Sequence, residues 1–121
     1  MTRDARDGAA PAELFALLWE TLADVLGTAA AAMLLRRSIT RAAARATGPG
    51  PVIVARNGLD YTYRLPDAWQ RPGDSEALAG LRLVAAELRG LLVELTGPVV
   101  VTRLARLAPL REGGIEFGEE A

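Results

Sequence analysis

The chain has 121 residues, half of them hydrophobic and 24% charged, which suits one globular domain with a modest core and excludes a disordered polymer. Its net charge is −1, from 15 acidic residues and 14 basic ones that are all arginine, so no general field draws it toward nucleic acid or anionic lipid. Histidine, cysteine and lysine are absent, which removes imidazole proton transfer, thiol nucleophiles, Schiff-base chemistry and the usual ligands of zinc, copper and iron–sulfur sites.

Residues 1–10 are polar and small, and a frayed, flexible N-terminus is expected there. They contain no apolar run of the signal-peptide kind, so a cytoplasmic location is expected. Pro11 then suits the first position of a helix, and Glu13 suits its positive end. One continuous helix is expected from 11 to about 46, where Gly48, Pro49, Gly50 and Pro51 stop it. Leu14, Phe15, Leu18, Leu22, Val25, Leu26, Ala29 and Met33 would form its core face.

This helix does not read as a membrane span. Its uncharged run, residues 25–35, would cover roughly 16 Å against a hydrocarbon core of about 30 Å. Glu20 and Asp24 would be costly at depth. Arg37, Arg41 and Arg45 share a stripe that could meet phosphates, but no glycine-rich loop and no interleaved aromatic residue accompanies them. Arginines near a helix C-terminus are also favoured by the dipole, so nucleic acid is not the expected partner.

A third property is more informative. Glu13, Glu20 and Asp24 form an acidic ridge that continues into the small residues Gly27, Ala31 and Ser38. That groove would admit another backbone, supplied either by a second copy of the chain or by its own second long helix. In an antiparallel pair of copies centred between residues 30 and 31, Asp24 would meet Arg37 and Glu20 would meet Arg41. Such a contact is self-complementary, as a twofold interface must be. A homo-oligomer of this kind is therefore expected, with residues 36–45 and 112–121 as further surfaces for an unidentified protein partner.

Residues 51–66 read as a hairpin turning at Asn57-Gly58. A two-residue loop there pairs Val54 with Tyr61 and Val52 with Tyr63, leaving an apolar face that a helix must cover. After a turn-rich link, Asp74 or Ser75 caps a second long helix reaching about Leu95. Leu81, Val84, Leu88, Leu91, Leu92 and Leu95 form its main stripe. Ala79, Leu83, Ala86, Gly90 and Val93 form a lesser one opposite, so the helix should be sandwiched. Residues 98–108 could be a strand or a short helix; Pro98 at the first position and the spacing of Val100, Leu104 and Leu107 favour the helix. The tail 112–121 is acidic and expected to be flexible.

No active site emerges. The pair Glu20 and Asp24 has the i, i+4 spacing of metal-binding acids, but no histidine joins it and the second long helix offers no matching pair. Ser75 reads as a cap, and Ser38 has no evident base. No catalytic residue, metal or cofactor is assigned. Tyr61, Tyr63, Trp69 and Leu88 could instead line a pocket for an apolar ligand between hairpin and helices, although aromatic residues beside a ribbon commonly fill a core. The expected fold is α+β: two long helices packed with a β-hairpin, in one domain at 11–111. The expected role is a non-enzymatic interaction or regulatory module, with a small-molecule sensor as the alternative.

Overall fold

In the computed structural model, which describes residues 9–45, 52–115 and 117, the first long segment is two helices. Helix α1 is Pro11–Leu26 and α2 is Thr28–Arg45. A β-hairpin follows (β1, Ile53–Asn57; β2, Asp60–Arg64), then a 3-10 turn at Asp67–Gln70. The long helix α3 spans Ser75–Thr96, and two short helices, α4 (Pro98–Ala105) and α5 (Ala108–Glu112), complete the order. The fold is α+β. The expected fraying of the N-terminus and the stop at 46–51 concern residues 1–8 and 46–51, which lie outside those described.

Helix α1 begins as its sequence dictates. Pro11 occupies the first turn, and the Glu13 carboxylate accepts a hydrogen bond from the Ala10 N–H at 3.1 Å. The helix ends at Gly27, whose N–H still bonds the Ala23 carbonyl at 2.9 Å while its φ is 95° and ψ 153°. That conformation is essentially confined to glycine. The Gly27 carbonyl then accepts from the Ala31 N–H at 3.0 Å and starts α2. The expected single helix is thus broken at its only glycine. A Cβ at this position would meet nothing within 4 Å, so Gly27→Ala tests the backbone alone. It is expected to cost about 1–3 kcal/mol in urea unfolding, and an unchanged midpoint would show that the break does not need glycine.

The break resets the helical phase, which corrects the core face expected beyond it. Met33 is 65% exposed, Ala29 is exposed, and Val25 and Leu26 are half-buried. The buried face of α2 is instead Ala31, Ala32, Leu34, Leu35, Ser38 and Ala42. Much of it is small, so α2 lies close along α3, its most extensive neighbour. Buried Ser38 is satisfied locally, its hydroxyl donating to the Leu34 carbonyl at 2.8 Å.

The hairpin forms where expected, with its register moved by one position in the turn. Val54 pairs with Tyr63, Arg56 with Tyr61 and Asn57 with Asp60, so Gly58 and Leu59 make the turn. The type I′ turn implied by Asn57-Gly58 needs positive φ at both central residues. Only Gly58 adopts it, at 68°, which places the glycine first in a type II′ turn. A shift of this kind keeps each side chain on its face, so Val54 and Tyr63 still turn toward the helices. Val54 is buried, and the Tyr63 ring lies 4.8 Å from Phe15 and 4.9 Å from Trp19.

Helix α3 is capped by Asp74, whose carboxylate accepts from the Ala77 N–H at 3.0 Å. Its stripe from Leu81 to Leu92 is buried against α1, α2 and α4. Leu95, expected in the same stripe, is instead 65% exposed. The lesser stripe faces outward: Ala79, Ala86, Gly90 and Val93 are exposed and Leu83 is half-buried, so α3 is covered on one side, not sandwiched. Residues 98–105 are helical, as favoured.

The tail departs from expectation. Ile115 and Phe117 are fully buried in the main core, whereas 116 and 118–121 lie outside the described residues. Helix α5 ends in a Schellman pattern, with the Ile115 N–H bonding the Leu110 carbonyl at 2.8 Å and Gly114 bonding Arg111 at 3.0 Å. Arg82 on α3 reaches the Gly113 carbonyl at 3.0 Å and holds the same turn. Domain and tail are therefore not separated at residue 111.

Candidate docking surface

The expected site residues fall in four places. Glu20 and Asp24 stand exposed on α1, and Gly27 is exposed at the break. Ala31 is 0% exposed on α2. Of the small-residue groove, Ala31 and Ser38 are buried within the chain while Gly27 stays exposed, and the one straight helix assumed for the antiparallel pairing of copies is two helices, α1 and α2. Arg37 and Arg41 remain exposed on α2, while Arg45 pairs with Glu87 and links α2 to α3. That pair is half in water and worth about 0–1 kcal/mol.

The expected ligand pocket is occupied by protein. Trp69 and Leu88 are 0% exposed core residues, and Trp69 packs edge-on against Phe15 at 6.2 Å. Among the described residues its buried Nε1–H has no acceptor. Tyr63 fills the space between hairpin and α1. Burial pushes its hydroxyl pKa above the ordinary value, and the Glu20 carboxylate adds to the effect. Tyr61 sits at the hairpin end, with the Arg56 guanidinium 6.0 Å from its ring centre.

A different arrangement arises where α1 meets α4. The inward face of α1 is Leu14, Phe15, Leu18 and Leu22, which leaves Leu17 half-buried and Glu13, Glu20 and Asp24 exposed along one edge. In α4, Val100, Val101 and Leu104 turn inward, and Val99 and Arg103, with Arg106 at the C-cap, turn out. Between the two helices runs an open cleft of about 390 Å³. Leu17, Glu20, Thr21 and Asp24 form one wall, and Arg103 and Leu107 the other. The cleft shares Arg103 and Leu107 with a depression of about 620 Å³ over Pro98, Val99 and Arg106. It shares Leu17 and Glu20 with another of about 480 Å³ that reaches Glu13 and Pro109.

These three hollows make one surface. Its floor is apolar, one rim carries carboxylates and the other carries guanidiniums. Among the described residues, neither Glu20 nor Asp24 forms an ion pair with Arg103 or Arg106. The charges face the same open space without neutralising each other. Glu20 and Asp24 were legible as candidates from the sequence, whereas Arg103, Arg106, Leu107 and Leu17 were missed. The available signal was the pattern Val99, Arg103 and Arg106 on the outer side of a helix whose Val100 and Leu104 point inward.

Among the described residues, no group of three or more Asp or Glu side chains could hold a metal ion, and no helix is long and apolar enough to cross a membrane. Comparison with protein-family models, curated proteins and solved structures gives no match.

Proposed function

We propose that this chain is a non-enzymatic, cytoplasmic interaction or regulatory module, and that it acts by seating another macromolecule on the α1–α4 face. The observation that carries this reading is the split surface itself: apolar Leu17 stands beside carboxylates on one wall and Leu107 beside Arg103 on the other, and among the described residues these opposite charges do not pair with each other. Apolar floor supplies affinity on desolvation, and separated charges select orientation. The composition supports the same reading, since a chain without histidine, cysteine or lysine lacks most of the groups that transfer protons or attack carbonyls near neutral pH.

The test uses a photoreactive amino acid at position 107 and, as control, at position 59, where Leu59 is 92% exposed at the hairpin tip. In extract from the native cell, position 107 is expected to capture a macromolecule that position 59 does not. Equal capture at both positions, or none at 107, would overturn the reading.

A further inference from the structure

The occupant of the α1–α4 face can be named from its own charge layout, and this step rests on the docking reading above. We propose that a second copy of this chain covers it, through a twofold axis that lies in the contact plane and runs along the cleft between α1 and α4. Rotation about such an axis exchanges left with right. The carboxylate rim of one copy then lies over the arginine rim of the other, so Glu20 and Asp24 face Arg103 and Arg106 of the second copy. The cleft centre maps onto itself, and Leu17 and Leu107 of one copy meet Leu107 and Leu17 of its mate. A twofold contact must be self-complementary in this sense, and a face with one sign of charge on both rims could not be.

Two further observations agree. Val99, 71% exposed beside Arg103, extends the apolar floor to the edge of the basic rim. The opposed rims stand apart across a cleft instead of collapsing into pairs, which leaves room for side chains of the second copy to enter. By symmetry each ion contact occurs twice, so reversing one charge places two like-charged contacts in the interface.

The experiment is sedimentation of the full chain from low to high micromolar concentration, with circular dichroism of each variant to confirm the helices. Wild type is expected to show a monomer–dimer equilibrium that weakens as salt screens the rims. Arg103→Glu, an exposed site that leaves the core untouched, is expected to raise the dissociation constant about tenfold or more. Leu107→Glu is expected to do the same through the floor. Two results would overturn the second copy: a folded wild type that stays monomeric, or a dimer whose dissociation constant neither variant moves. If wild type is monomeric while position 107 still captures another macromolecule, only the second copy fails. If position 107 also captures nothing, the docking reading fails with it.

Discussion

Replacing Phe15 with alanine is expected to lower the unfolding free energy by about 3–5 kcal/mol. The ring is 0% exposed and holds the hairpin, the 3-10 turn and α1 together: it meets Tyr63 edge-on at 4.8 Å and Trp69 at 6.2 Å. Removing it deletes buried area, leaves a cavity that rigid neighbours only partly refill, and breaks two aromatic contacts worth about 0.5–1.5 kcal/mol each beyond their area. Domains of this size have about 5–15 kcal/mol in total, so the loss is a large fraction of the whole. Urea unfolding followed by helix ellipticity measures it. A loss under about 1 kcal/mol would mean that this space is loosely filled, as a sensor with a ligand cavity beside Tyr63 would require.

Phe117→Ala is expected to cost a similar amount, about 3–5 kcal/mol, although the residue sits four positions from the end of the sequence given. Its ring is buried in the same core as Leu14 and Leu110, and Ile115 beside it is buried too. The turn that delivers them is held from both sides, by the Leu110 carbonyl and by Arg82. A mobile tail would tolerate the change within about 0.5 kcal/mol, as surface sites do. The same urea measurement separates the two cases, and an unmoved midpoint would detach the tail from the fold.

The tail shows how local signals can be outweighed by composition. Gly113-Gly114 followed by Ile115 and Phe117 is the sequence mark of a Schellman stop with apolar residues returning to the core. The surrounding acids suggested solvation instead. The hairpin, the Asp74 cap and the helix after Pro98 were legible because each depends on residues close in sequence. So was the face Leu14, Phe15, Leu18 and Leu22, which repeats at helical spacing. The break at Gly27 was not. Glycine inside a helix costs only about 1 kcal/mol relative to alanine, too little to mark a stop by itself. Tertiary packing decided it, since beyond the break Ala31 and Ser38 are buried in a helix that packs on α1 and α3. The docking face was half legible for a similar reason. Spacing along α1 exposes Glu20 and Asp24, but Arg103 and Leu107 join them through folding of a distant segment, and no spacing rule connects the two.

Exchange of charges between the rims tests the central claim most directly, that the two rims of the α1–α4 face meet each other across a contact between copies. Glu20→Arg and Arg103→Glu should each weaken self-association about tenfold or more, and the double variant, with both signs exchanged, should return the dissociation constant to within about threefold of wild type. Sedimentation equilibrium on the three variants and wild type gives the coupling. Losses that simply add in the double variant would mean that residues 20 and 103 do not face each other, and the account of this surface would be wrong.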